Sequence, residues 1–463
     1  MIASVKIESF WRGLYMQTEV KPYLKNLLKR DLTVNWHPCM QMKDFEEMPP
    51  IEITRAHAAW LYAENGRRYL DATSSWWCKS LGHAQPSLQN ALTQQLQRFE
   101  HVIFANTTYD KIIELSEKLT NLIPHTQRVL YAGDGSCAVE IAVKMAIQAQ
   151  QLKGASQRQR LAALAGGYHG ETILTLALSD CELYAKPFAK LLPPVHRIDP
   201  VPYVLSTEDP LWYDASQAWQ QALQKLAPIA DELACVICEP ILQGANGMRI
   251  YSADFLKRMT EWAQSQGIYV IVDEIMTGFG RTGRMFAYEY AGIKPDMVCL
   301  GKGLTAGMLP MSAVATTEML YELFYDDYET GKAFMHSHTH TGNALSAAVA
   351  CEAVRLSTAI DVAGQAGRIG AQMYQDMQAV NAECGIIGEV SHIGAMVALK
   401  RCKPTPVSRW GRAVSHAALG HEILMRPLAN TIYWLPPLIS TDTDLNCLAA
   451  GTQAAILQVD DLN

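Results

Sequence analysis

Two short apolar runs, each closed by a charged residue, constrain this chain more than anything else in it. Ile268-Tyr269-Val270-Ile271-Val272 runs into Asp273-Glu274, and Met297-Val298-Cys299-Leu300 runs into Gly301-Lys302-Gly303. Runs this short, apolar without alternation, read as strands buried on both faces. More of the same kind precede them: Arg128 to Tyr131, Leu161 to Leu164 and Ala234 to Glu239, with Thr172 to Leu178 as a further strand candidate. Between them lie helical stretches, Ala138 to Gln151 and Ser252 to Gln266, the second with Ser252 as N-cap and Gly267 as stop. Strands alternating with helices predict an α/β unit with a mostly parallel central sheet and helices on both faces. Ligands of such sheets sit beyond the carboxyl ends of the strands, where Asp273 and Lys302 stand.

The flanks read differently. Ile51 to Ile53 and the hairpin-like Ala59 to Leu70, turning at Asn65-Gly66, precede the α/β region. After it come a Gln- and Ala-rich helix, Val362 to Val380, and short strands, Ile393 to Leu399 and Thr431 to Leu435. We expect residues 75–358 to form a large α/β domain, and residues 1–74 and 359–463 a smaller α+β domain built from both termini.

A net charge of −7 in 463 residues, with no cluster of Lys and Arg, argues against a nucleic-acid surface. No apolar run is long enough for a bilayer, and the start of the chain lacks a signal-peptide core, so a cytoplasmic location is expected. Eleven irregularly spaced cysteines fit reduced thiols. Cys235-Val236-Ile237-Cys238 matches C-x-x-C, but alternation along a strand puts the two thiols on opposite faces.

Other motifs have competing readings. Gly278-Phe279-Gly280-Arg281-Thr282-Gly283 matches the dinucleotide fingerprint G-x-G-x-x-G and keeps a nicotinamide oxidoreductase as a remote alternative. No helix opens within these glycines, and no acid ends a following strand at the required distance, so a tight turn beside a cofactor fits better. His336-Ser337-His338-Thr339-His340 lacks a carboxylate, and no metal is expected there. Gly133-Asp134-Gly135-Ser136 stands between a strand and a helix. Its free N–H groups and the helix dipole suit a phosphate, although a simple capping turn would look similar.

A buried lysine and an aspartate at neighbouring strand ends are what pyridoxal-phosphate chemistry needs. The lysine carries the cofactor aldehyde as a Schiff base and the aspartate keeps the pyridine nitrogen protonated. Ile271 to Glu274, Gly278 to Gly283 and Lys302 together resemble the class-III aminotransferases, a family of the fold-type-I pyridoxal-phosphate transferases. The resemblance runs from about residue 35 to the C-terminus. It narrows, through Ser74-Ser75-Trp76-Trp77, Gly167-Tyr168-His169-Gly170, Phe334-Met335-His336, Arg426-Pro427 and Ile432 to Pro437, to the branch that aminates 8-amino-7-oxononanoate in biotin synthesis.

That resemblance implies Lys302 and Asp273 as the catalytic pair. It implies Gly135 and Ser136 on the phosphate of pyridoxal 5′-phosphate, joined by Thr339 from the other subunit of a homodimer, and Tyr168 stacked on the ring. It implies substrate contacts from Trp76, Tyr168, Lys302, Ser337 and Arg426, with Arg426 holding the acceptor carboxylate and Arg281 as a further polar contact. S-adenosylmethionine is the implied amino donor, with lysine as the alternative; the alternative activity is that of a class-III aminotransferase for another ω-amine, such as ornithine or 4-aminobutyrate. Two departures bear on the donor: Cys39 stands after His37-Pro38 where the family has tyrosine, and Ser337-His338 precedes Thr339 where it has Gly-Pro.

Overall fold

The structure, a computed structural model, describes residues 22–402, 404–405 and 407–460. Its centre is a seven-stranded sheet made of β1 (Arg128–Ala132), β2 (Arg160–Leu164), β3 (Val195–Ile198), β4 (Leu233–Cys238), β5 (Tyr269–Asp273), β6 (Met297–Leu300) and β7 (Ser312–Thr316). The spatial order is β1-β7-β6-β5-β4-β2-β3. Strands β3, β2, β4, β5 and β6 run parallel, and β7 is antiparallel to both its neighbours.

Alternate residues of the strands bury into two different cores. Ile271, Met297 and Cys299 face helix α1 (Gly135–Leu152), with its Ala138, Ile141, Ala142 and Met145. Val270, Val272, Val298 and Leu300 face the other layer, with Phe255 and Met259 of helix α2 (Ala253–Ser265) and Ala344 and Ala347 of helix α3 (Ala344–Ala359). This two-sided burial is why the strands are apolar without alternation. Cys235 and Cys238 fall on opposite faces, each buried and unpaired.

A second sheet joins the two ends of the chain. Ile53–His57, Trp60–Ala63 and Arg68–Asp71 form an antiparallel meander, turning at Gly66 (φ +81°), and Ile423–Leu424 adds in parallel beside Arg68–Asp71. A third, antiparallel sheet contains Gly388–Ile393, Met396–Arg401 and Thr431–Trp434. Helices Val362–Glu383, Trp410–Gly420 and Asp442–Asp460 cover it, with Trp434, Trp410 and Met373 in the shared core.

Two expectations about elements are corrected. Thr172 to Leu178 is no strand: Ile173–Leu178 is a short helix, its carboxyl end clamped by Arg197, which donates to the carbonyls of Ala177, Leu178 and Ser179 at 2.6–2.7 Å. Ile393 to Leu399 is not one strand: Ile393 ends the first arm of a hairpin, and Met396–Leu399 belongs to its second arm. The run breaks at Gly394 (φ +50°), where a side chain would strike the backbone of Thr282 and Gly283. Among the described residues no helix is long and apolar enough to cross a membrane.

Candidate active site

Parallel strands β5 and β6 end side by side, with Asp273 paired in register with Cys299. Asp273 is buried. Its Oδ2 takes a hydrogen bond from His169 Nδ1 at 2.8 Å and its Oδ1 takes one from the Ile275 N–H at 3.1 Å. His169 is equally buried, and its Nε2 has no hydrogen-bond partner. Lys302 opens a short 3₁₀ turn just past β6, in a left-handed backbone conformation (φ +37°) that a side chain adopts only when its surroundings enforce it. Its Nζ lies 4.7 Å from the Trp77 ring centre, and no carboxylate pairs with it among the described residues. Burial holds its ammonium below the ordinary lysine range, against the opposing pull of Asp273 and Glu239.

Glu239 is a third charged group at this level, closing β4 much as Asp273 closes β5. It accepts from the Tyr168 N–H at 2.8 Å and from the Gly244 N–H at 3.0 Å. Burial pushes its carboxyl up to about 7. The pattern that singled out Asp273, an acid ending a buried run, applies equally to Glu239 and could have found it. His169 was visible only as a neighbour of Tyr168.

The turn expected from the sequence to cradle a phosphate does stand between β1 and the start of α1. Asp134, not Ser136, caps α1, accepting from the Cys137 N–H at 3.0 Å. The N–H groups of Gly135 and Ser136 therefore open the helix without an intrahelical acceptor. Glycine is required close by: a Cβ on Gly135 would fall 2.8 Å from Ile275 Cδ1, and one on Gly170 would strike the Ser136 hydroxyl. Tyr168 stands on the loop before Gly170, its hydroxyl donating to Glu171 at 2.9 Å. A helix N-terminus for an anion, a partly buried unpaired amine and a buried acid–imidazole pair fit a phosphorylated pyridine aldehyde.

The mouth of this cleft is made by distant segments. Arg426 stacks on Trp76, 4.8 Å from guanidinium carbon to ring centre, and donates to the Cys39 carbonyl at 3.0 Å. Trp77 donates from Nε1 to the Tyr433 hydroxyl at 2.8 Å, linking this rim to the face beside Lys302. The strap that carries both tryptophans is strained. Ser74, Ser75 and Trp77 all have positive φ, at a cost of about 1–3 kcal/mol each. Asp71 fixes it by accepting from the N–H and hydroxyl of Ser75 and from His83. Arg281 fixes it from below. That arginine is buried and bonds the Pro436 carbonyl at 2.7 Å and the Ser74 hydroxyl at 3.3 Å, so its contacts are with the scaffold.

Ser337 and Thr339 are not brought to the Gly135–Ser136 turn. They lie exposed in the loop before α3, where the Thr339 carbonyl accepts from His101 at 2.7 Å. In the same loop His336 meets Lys144 Nζ through Nδ1 at 3.0 Å and His338 through Nε2 at 3.1 Å. The glycine hexad opens no helix. Gly280 (φ +90°) and Gly283 (φ +88°) turn the chain, and a Cβ on Gly280 would fall 2.5 Å from Val362. The dinucleotide reading falls with it.

Comparison with known proteins agrees with this geometry. The sequence model of the class-III aminotransferases matches residues 41–456. The adenosylmethionine-8-amino-7-oxononanoate aminotransferase of Helicobacter pylori is 37% identical over 435 residues, 93% of this chain and 97% of that protein. The protein of that name from Geobacter sulfurreducens is 33% identical over 434 residues, 91% and 95% of the two chains. Among solved structures, the adenosylmethionine-8-amino-7-oxononanoate aminotransferase of Methanocaldococcus jannaschii superposes with a TM-score of 0.88 at 30% identity, covering 94% of this chain and 99% of that one. A PLP-bound amine transaminase from an uncultivated Pseudomonas species gives 0.85 at 28%, covering 92% and 99%. The chain belongs to the class-III aminotransferases, a family of pyridoxal-phosphate enzymes.

Proposed function

We propose that this aminotransferase moves an amino group from S-adenosylmethionine to the ketone of 8-amino-7-oxononanoate, giving 7,8-diaminononanoate, the reaction for which its relatives are named. One observation carries the reading. Arg426 is a cation with no carboxylate partner among the described residues, set over Trp76, whose chain neighbour Trp77 has its ring centre 4.7 Å from Lys302 Nζ. A carboxylate at the far end of a long chain can pair with that guanidinium while its ketone reaches the lysine.

Pyridoxal phosphate, when bound, supplies the aldehyde that takes up the amino group and the ring that accepts electron density. Gly135 and Ser136 would hold its phosphate, and Tyr168 would stack on its ring. Asp273, oriented by His169 and the Ile275 N–H, would keep the ring nitrogen protonated. Lys302 Nζ takes the proton from the amine-bearing carbon of the donor and delivers one to the carbon of the acceptor. Its depressed basicity keeps a fraction neutral and able to act as a base. Trp77, with its ring centre 4.7 Å from Nζ, would shield it from water. Thr339 would act from the second copy of a homodimer, and Ser337 would line that copy's cleft; their exposure on a loop away from their own cradle supports this. Eleven unpaired cysteines support a reducing, cytoplasmic setting.

Turnover of 8-amino-7-oxononanoate, with S-adenosylmethionine and lysine offered separately, tests the proposal. The expected result is ping-pong kinetics with S-adenosylmethionine, and Arg426→Gln should raise the acceptor KM. Rejection of the acceptor by the wild type would refute the assignment.

A further inference from the structure

Cys39 reads, from the sequence, as part of the donor side of the cleft. In the structure Cys39 lies between Arg426 and Tyr184. Its carbonyl is bonded to Arg426, and its thiol accepts a hydrogen bond from Tyr184, whose hydroxyl lies 3.6 Å from Sγ. Cys39 itself is held in a left-handed conformation (φ +53°), so its carbonyl direction depends on what fixes the side chain. Tyr184 is well placed to do that. It stands on the short helix Glu182–Ala185, directly after a segment tied to the Tyr168 loop from both sides. The Asp180 N–H donates to the Gly167 carbonyl, and the Asp180 carboxylate accepts from the Gly166 N–H, both at 2.8 Å. The Tyr184 ring packs edge-on to Tyr168, centres 6.5 Å apart. An unbroken line of contacts thus runs from the Tyr168 loop through Tyr184 and Cys39 to Arg426 and Trp76.

We infer that Tyr184 is a positioning residue for the acceptor carboxylate: through Cys39 it fixes the direction in which Arg426 presents its guanidinium. This rests on the reading of Arg426 as the carboxylate contact. An unpaired arginine on a long flexible stem otherwise samples many rotamers, and the entropy of fixing one would be charged to substrate binding. Here the Cys39 carbonyl takes one N–H of the guanidinium, the Met40 sulfur takes another at 3.6 Å and the Trp76 ring lies beneath it, leaving the remaining donors for the ligand.

Tyr184→Phe removes only the hydroxyl, and Cys39→Ala only its acceptor. Each should raise the KM for 8-amino-7-oxononanoate about threefold or more, the scale of one neutral hydrogen bond, with kcat within about twofold. The dissociation constant of nonanoate, an unreactive nine-carbon carboxylate, should rise by the same factor in a calorimetric titration of the holoenzyme. The donor half-reaction, followed by cofactor absorbance without acceptor, should not change. In an Arg426→Gln background, Tyr184→Phe should have no further effect. Additive effects in that background overturn the inference, as does a change confined to the donor half-reaction, or no nonanoate binding to the wild type. If the wild type binds nonanoate but rejects 8-amino-7-oxononanoate, the substrate assignment fails, and the titration series still decides the role of Tyr184.

Discussion

Glu274 follows Asp273 directly and is fully buried, and its carboxyl is held by neighbouring protein groups. It accepts from the Tyr288 N–H at 2.9 Å and from the Thr277 hydroxyl. Burial pushes it up from 4.5 to about 7. A carboxyl whose pKa is higher in the folded chain than in the unfolded one favours the fold below the unfolded value, and loses that contribution as pH rises through the folded value. For Glu274 the window is pH 4.5 to 7. The shift of about two and a half units, at about 1.4 kcal/mol per unit, amounts to roughly 3 kcal/mol lost by pH 8 and under about 1 kcal/mol at pH 5. Glu274→Gln keeps the size and, with its oxygen accepting from the Tyr288 N–H and its amide nitrogen donating to the rotatable Thr277 hydroxyl, keeps both partners while removing the titration. The variant should therefore match the wild-type holoenzyme in thermal unfolding near pH 5 and exceed it at pH 8. Other titrating groups are common to both proteins, so the difference between them isolates this one. A stability gap that stays constant between pH 5 and pH 8 would refute the argument from burial.

Three further outcomes are expected. Lys302→Ala should unfold at nearly the wild-type temperature but show no turnover, and borohydride treatment of the wild type should add the cofactor mass to the peptide containing Lys302; labelling of a different lysine would overturn the assignment. Asp273→Asn should lose at least about a hundredfold in kcat for both half-reactions, because a neutral amide cannot stabilise a charge on the ring nitrogen, and near-normal rates would remove Asp273 from that role. Gly394→Ala should cost roughly 3 kcal/mol or more, since the added methyl meets the Thr282–Gly283 backbone at a positive φ, and an unchanged melting temperature would count against that contact.

The central sheet and the acid–lysine pair were legible because burial on both faces writes a short apolar run into the sequence, and a charge at its end has little reason to be there except chemistry. Thr172 to Leu178 was misread for the same reason: five apolar residues and two threonines in a run of seven fit a short buried helix as well as a strand, and the Arg197 clamp on its carboxyl end has no signature in the run itself. Gly394 hid a hairpin because one glycine within an apolar run can be either a bulge or a turn. The role of Arg281 was lost because a polar residue in a glycine loop looks like a ligand contact until its partners, Pro436 and Ser74, are seen. The contact of Cys39 with Arg426 has no local signature at all. Neither periodicity nor spacing reports a pairing between two irregular segments.

That last contact joins residues 387 positions apart. During synthesis the segments that form the cofactor cradle, β1 through Lys302, emerge long before Arg426, and strand Arg68–Asp71 must wait for Ile423–Leu424 to complete its sheet. On the proposed assignments, the segments for the cofactor are therefore synthesised while the arginine for the acceptor carboxylate does not yet exist. A chain ended between residues 302 and 426 would carry the lysine and lack the arginine proposed to choose what reaches it. The ability to discriminate among substrates is acquired last, as the two ends of the chain close on each other.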